Sequence, residues 1–358
     1  MPTLHIDLDK LDHNIRFLRD FLAQRGLAML GAAKGCNAYP PFVRLLQKAG
    51  VPRVGMSRLE QIAGLAPERP AEPVLLALPP QSQAVDVVRQ FQASLNSELE
   101  TVKVLAAAAE AVGRRHGIIL MVEVGDLREG VMPEDLPDLA RACRDCCNDH
   151  LSIVGVGAQF SCMSGLLPNA YSLERLADAA ARVHRELDLA ELRVSVGGSD
   201  FVRWLEHNDM PEGIHEVRLG FSVLLGRYPD SDLPHPHLHN DALLLEAEVL
   251  EVRDKPSLPW GATGVNALGE KPMFVDKGIR TRAILDFGAI ETEPSGLTCT
   301  EPGITPVGYN SNYSVFDVAD APRRLRAGDS LTFRMNYKAM TLAFYSPLVC
   351  KAVARPMS

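Results

Sequence analysis

The chain is poor in the features that would direct it to a membrane or to a nucleic acid. None of its 358 residues form an apolar run near the roughly 18 needed to span a bilayer. Its opening, MPTLHIDLDKLDHN, has no basic stretch leading into an apolar one, so neither a transmembrane helix nor a secretory signal is expected. Positive charge is in deficit: 37 Lys and Arg against 45 Asp and Glu leave a net charge of −8, without the basic stripe of a nucleic-acid binder. Seven cysteines are an odd number, which fits reduced thiols in a cytoplasm better than a disulfide framework. Cys143, Cys146 and Cys147 do cluster as C-x-x-C-C. The segment around them, LPDLARACRDCCND, is patterned as a helix, and reads as thiols on a helix face before half a metal site.

What is present is a globular composition, 46% hydrophobic and 23% charged, long enough for one large domain or two ordinary ones. After an opening strand, Thr3 to Asp7, a helix is expected from about Asp9 to Gln24, with Leu11, Ile15, Leu18 and Leu22 on one face. Apolar runs then recur between helical stretches: LAMLGAA, PRVGMS, PVLLAL, QASLN, IILMVEV, LSIVGVGA, RVSVGG and EVRLG, with helices near 98–113, 133–149 and 172–188. Continuously apolar strands separated by helices imply a parallel sheet covered on both faces. Eight of them after the opener suit a (β/α)8 TIM-type barrel; an open doubly wound sheet is the alternative. PDSDLPHPHLHN (229–240) reads as a linker, with His235, His237 and His239 solvated rather than metal-bound. Beyond it LLLEAEVLEV, MFVDKG, TRAILDFG, SVFDVA, DSLTFRM and SPLVCKAV are strand patterns without long helices. The expected division is a barrel over 1–230 and an all-β domain over 240–358, with residues 1–8 pairing with the latter.

Reactive groups of a parallel barrel gather at the C-terminal ends of its strands. Lys34 ends the first barrel strand in GAAKGCNAY, where partial desolvation would depress its pKa and leave a nucleophilic amine able to form a Schiff base. By position alone, a lysine snorkelling from a strand end is the simpler reading. At the seventh strand end VGGSDF supplies Gly197, Gly198 and Ser199, and at the eighth VRLGFSVLLG supplies Arg218 and Gly220. Loops after strands 7 and 8 commonly bind phosphate through glycine amides and a helix N-terminus. An amine and an anion site facing one another across a barrel mouth are what an aldehyde cofactor with a phosphate handle requires.

These segments resemble a known family. IDLDKLDHN is similar to the opening motif of the fold-type III pyridoxal enzymes, and GAAKGCNAY to the cofactor-lysine segment of alanine racemases, with one extra residue between lysine and tyrosine. MVEVGDLREG, VRLGFSVLLG and FRMNYKAM resemble further segments of that family, in order along nearly the whole chain. GDLREG and DKGIRTRAILDFG look closest to its ornithine-racemase-like branch. The resemblance implies pyridoxal 5′-phosphate as cofactor, with Lys34 as Schiff-base lysine and Arg218 on the ring nitrogen. Tyr39, Gly198, Ser199 and the amides of Gly220 and Phe221 would hold the phosphate, and Arg128 would face the substrate. It also implies a homodimer with active sites shared between subunits, and racemisation of an amino acid, with ornithine or lysine favoured if Asp126 and Glu129 attract a side-chain ammonium.

The match departs from the family at the second acid/base. The family's tyrosine aligns with Phe287, which carries no proton, so Tyr313 is the candidate, with Tyr309, Asp286 and Cys162 as neighbours. The family's modified lysine, which braces the substrate arginine, corresponds to Met121; Asp126 or Glu123 would have to brace Arg128 instead. Gln159 stands where the family has a histidine behind the ring arginine. Alanine racemisation, D-amino-acid aldol cleavage or dehydration, decarboxylation, and non-catalytic cofactor binding remain as alternatives. The cleavage enzymes need a metal set, and no histidine follows His239.

Overall fold

Packing of the first helix follows directly from its spacing: in Leu8–Ala23 the buried apolar residues are Leu11, Ile15, Leu18 and Leu22, one stripe at helical period. The computed structural model describes residues 1–65, 69–189, 191–269 and 271–353. The chain divides into two compact units, Asp9–Asn240 and Met1–Leu8 with Asp241–Ser358.

In the larger unit the strands are β2 (Ala28–Ala32), β3 (Arg53–Met56), β4 (Glu72–Leu75), β5 (Ala93–Asn96), β6 (His116–Val122), β7 (Leu151–Gln159), β8 (Arg193–Gly197) and β9 (Glu216–Leu219), β1 (Thr3–Ile6) lying outside the unit. Each pairs in parallel with the next, and β9 returns to β2, closing the barrel. That closing pair rules out an open doubly wound sheet. Leu30, Ala32, Val74, Leu76, Ala93, Leu95, Ile119 and Met121 form the packed interior cluster. Helices Leu99–Val112, Leu136–Asp145 and Ala170–Leu187 supply much of the outer ring.

The smaller unit has β10 (Leu243–Pro256), β11 (Ile279–Leu285), β12 (Leu297–Cys299), β13 (Thr305–Tyr309), β14 (Ser314–Asp317), β15 (Ser330–Met335) and β16 (Cys350–Val353). The strand order is β12-β15-β10-β11-β14-β13, and β1 lies antiparallel to β10 and parallel to β16. Phe287, Phe316 and Phe333 form its aromatic core, with centroids 5.1 to 6.5 Å apart.

Three local expectations change. MFVDKG is not a strand: it ends an exposed loop closed at its neck, where the Ser257 amide donates to Gly278 O (2.9 Å) and the Lys277 amide to Ser257 Oγ (2.7 Å). The β unit contains a helix, Tyr337–Tyr345, nucleated by Asn336, whose side chain accepts from the Ala339 amide. The 229–240 segment packs rather than floats. His235 is buried, its Nε2 3.3 Å from Glu206 and its ring against Tyr228 and Phe17. Asn14 pins the same segment through both carbonyl and amide of His239.

Candidate active site at the barrel mouth

Lys34 follows β2 and opens a single 3-10 turn, Lys34–Cys36. The next two residues, Asn37 and Ala38, both have left-handed backbones (φ 49° and 47°), a conformation that costs a non-glycine residue about 1 kcal/mol or more. Two such residues in succession are held in place by the turn's own bonds: the Ala38 amide donates to Ala33 O (2.9 Å) and the Tyr39 amide to Cys36 O (2.9 Å). Gln61, fully enclosed, donates to Lys34 O (3.1 Å), while its Oε1 accepts the Ser57 and Arg58 amides (2.7 and 3.1 Å). Nothing in the sequence pattern marked this glutamine. Burial lowers the Lys34 pKa; Arg128 and Arg218 act in the same direction, against Cys162 and Glu129. The result favours the neutral, nucleophilic amine.

Arg218 projects from β9 into the barrel and is buried. Nη1 donates to Ser195 O (2.8 Å) and Oγ (3.1 Å), and Nη2 to Ala158 O (2.8 Å) and Gln159 Oε1 (3.3 Å). All of these acceptors are neutral. Among the described residues none accepts from Nε, so this donor is left for something else. Room for the guanidinium depends on Gly197, where a Cβ would lie 2.5 Å from Nη2. Burial pushes the Arg218 pKa down to about 10, which still leaves it charged at neutral pH.

Beside it, Ser199 is buried with its Oγ accepting the amides of Gly220 (3.4 Å) and Ser222 (3.2 Å). Two backbone donors therefore converge on one oxygen at the start of the short helix Phe221–Leu225. That is the donor arrangement a phosphate oxygen needs. Gly220 must be small, since a Cβ there would lie 2.9 Å from Ala32 O, and Gly198 has φ 141°. Tyr39 caps the helix Pro40–Lys48 through its backbone position. Ser222 was overlooked in the sequence although it sits directly after Phe221 in VRLGFSVLLG.

Arg128 lies on the loop after β6. Its Nε and Nη2 both reach Glu129 (Nη2–Oε1 2.5 Å), and its Nη1 meets the Cys162 thiol on the loop after β7. Neither of the two expected braces holds the guanidinium. Glu123 accepts backbone amides, including Leu127 (3.1 Å) and Arg128 (3.0 Å). Asp126 is buried and accepts the amides of Cys162, Met163 and Ser164 at 3.0 to 3.2 Å, so it is not open to a substrate ammonium either. Met121 is buried in the interior cluster. Gln159, by contrast, does stand behind Arg218, donating to Phe160 O (2.8 Å) and Gly197 O (3.0 Å).

In the β unit, Phe287 is fully buried in the aromatic core and unavailable to any substrate. Tyr313 is exposed in the β13–β14 turn, its amide donating to Asn310 Oδ1 (2.8 Å). That turn is stitched to the loop after Phe287: Ala289 donates to Asn310 O (3.0 Å) and Ile290 to Ser311 O (3.2 Å). Tyr309 bonds Glu293 (3.2 Å) and Asp286 pairs with the N-terminal amine (2.6 Å), which commits both locally.

These features define a two-unit protein whose parallel barrel has a desolvated lysine at its first strand and, at its last two, a buried arginine beside a serine hydroxyl that accepts two backbone amides. A family model, the alanine racemase N-terminal domain, matches residues 6–229, and the chain belongs to that family. It is similar to an ornithine racemase of Acetoanaerobium sticklandii, 33% identical over 98% of this chain and 99% of that protein. A lysine racemase of Thermotoga maritima is likewise 33% identical, over 98% of each. Among solved structures, an alanine racemase of Clostridium difficile 630 superposes with a TM-score of 0.76 at 15% identity, covering 100% of this chain and 96% of that one, and shares the fold.

Proposed function

We propose that this chain is a pyridoxal 5′-phosphate-dependent racemase of basic amino acids, ornithine or lysine, acting in the cytoplasm. The observation that carries the cofactor is Arg218: a buried guanidinium whose acceptors among the described residues are all neutral, none of them on Nε, beside a hydroxyl on which two amides converge. The substrate class rests on the near-full-length likeness to the ornithine and lysine racemases.

In this reading Lys34 would hold the cofactor through its amine and would carry a proton to or from one face of the substrate α-carbon. Ser199, Gly198 and the amides of Gly220, Phe221 and Ser222, with Tyr39, hold the phosphate. Arg218, which keeps its own proton, would hold the cofactor ring through Nε. When bound, the cofactor supplies the electron sink that acidifies the α-proton. Arg128 receives the substrate carboxylate. Tyr313, exposed on its turn, serves the opposite face from a second copy of the chain, so the working unit is a homodimer.

The test is borohydride treatment of the purified protein followed by peptide mapping, and a chiral assay over ornithine, lysine, arginine and alanine. The expected result is a reduced adduct on Lys34 and interconversion fastest for ornithine or lysine. Lys34→Ala should lose the adduct and at least about 10³-fold of the turnover. No adduct after adding pyridoxal phosphate would overturn the reading.

A further inference from the structure

Arg128 offers five N–H donors. Glu129 takes Nε and one hydrogen of Nη2, which is the side-on edge of the fork, and Cys162 takes one hydrogen of Nη1. One hydrogen on each terminal nitrogen is left, the number a carboxylate accepts end-on. Both partners are themselves placed by backbone. Glu129 follows Arg128 directly and its side chain is largely buried. Cys162 sits in a loop fastened to the Arg128 loop by Asp126, through three amides of residues 162–164, and by Ser164 Oγ donating to Gly125 O (3.1 Å).

We propose that Glu129 and Cys162 are positioning residues that hold the Arg128 guanidinium with its end-on edge presented to the substrate carboxylate. The inference rests on the racemase reading and adds to it the pair that braces the substrate arginine in a chain with methionine at position 121. The anion fixes the angle of the fork and the thiol fixes its reach. The same three residues act electrostatically on Lys34, which puts the brace within range of the amine. Cys162 is thereby assigned to holding the arginine and not to proton transfer.

Binding of 5-aminopentanoate to the holoenzyme, measured by calorimetry, tests this without turnover. The probe keeps the carboxylate and distal ammonium of ornithine but lacks the α-amine that would react. Glu129→Ala and Cys162→Ala should each weaken it, by about 10-fold and about 3- to 10-fold. Cys162→Ser, which retains an acceptor, should restore binding to within about twofold. In turnover the same variants should raise KM more than they lower kcat. Unchanged binding in both alanine variants, or tighter binding in Glu129→Ala, overturns the proposal; the second result would make Glu129 a competitor for the arginine. Arg128→Ala separates the claims: if it binds the probe as the parent does, or the parent binds none, Arg128 is no carboxylate receptor and the brace fails with it. The adduct on Lys34 and the chiral assay would still stand or fall on their own.

Discussion

Two buried ions stand two residues apart on β9 and are compensated in opposite ways. Glu216, at the N-terminal end of the barrel, is met by a cation: Arg53 Nε lies 3.0 Å away and Arg193 Nη1 3.9 Å. Arg218, one layer nearer the mouth, is met by carbonyls, a hydroxyl and an amide, with no carboxylate in hydrogen-bond contact among the described residues. Ser195 joins the layers, donating to Glu216 Oε1 (2.8 Å) and accepting from Arg218 Nη1 (3.1 Å). A buried charge needs compensation, and the lower layer finds it inside the chain. The upper layer orients its cation with neutral acceptors and, among the described residues, leaves Nε without one. Chemistry at the C-terminal face and stability at the other is the usual division of labour in such barrels. Here two ways of compensating a buried charge stand on one strand.

The sharpest way to break that contrast is to remove one cation at a time. Arg218→Lys should lower turnover by about 10²-fold or more and weaken cofactor retention, because a lysine cannot reproduce the planar fork. Arg53→Leu should instead reduce stability by about 3–5 kcal/mol, since it leaves Glu216 buried without its nearest partner, while turnover per folded molecule stays near the parent value. Denaturant unfolding beside turnover reads both. If Arg53→Leu lost turnover at unchanged stability, the lower layer would belong to the chemistry and the division would collapse.

A second buried titratable group sharpens the stability side. His116 opens β6; its Nδ1 bonds Phe91 O (3.1 Å) and its Nε2 bonds Ser94 Oγ (2.8 Å). Burial pushes its pKa down to about 4, from an ordinary value near 6.5. The unfolded chain then binds the proton first. Stability from this group is whole above about pH 6.5 and is lost as the pH falls toward 4, by about 3 kcal/mol in all. The unfolding midpoint should therefore decline over that window, and His116→Gln should flatten the decline. An unchanged slope in the variant would move the acid sensitivity to other groups.

How much of this was legible depended on where the determinants lie. The barrel was readable because apolar strands and amphipathic helices repeat, and the placement of Lys34, Arg218 and Ser199 at the barrel mouth because they fall at strand ends, where topology alone brings them together. Gln61 escaped notice because its role is a single bond to Lys34 O from a position with no local signature. The brace of Arg128 was misassigned to Asp126 and Glu123 because sequence proximity does not say which carboxylate is spent on backbone amides. MFVDKG has strand-like residues, but its Asp276 bonds the Gly278 amide (2.9 Å) and closes a turn instead. That Phe287 carries no proton is plain from its type, yet only packing shows that it is spent on the aromatic core.

The smallest expected effect concerns Gln159, one of the four neutral acceptors around Arg218. Its Oε1 lies 3.3 Å from Nη2, the longest of those contacts, while its Nε2 is held by Phe160 O and Gly197 O. Gln159→Leu removes that acceptor and both carbonyl contacts but leaves Nη2 on Ala158 O at 2.8 Å. A neutral hydrogen bond of this kind is worth about 0.5–1.5 kcal/mol, so turnover should fall by about 2- to 10-fold with no change in its pH profile. Gln159→His should recover part of the loss through a ring nitrogen but add a titrating group behind the guanidinium. An acid limb near about pH 6.5 that the parent lacks would be its mark. If both variants turn over as the parent does, Arg218 is held by the two backbone carbonyls and Ser195 alone. The upper layer would then need no side-chain amide to aim its cation.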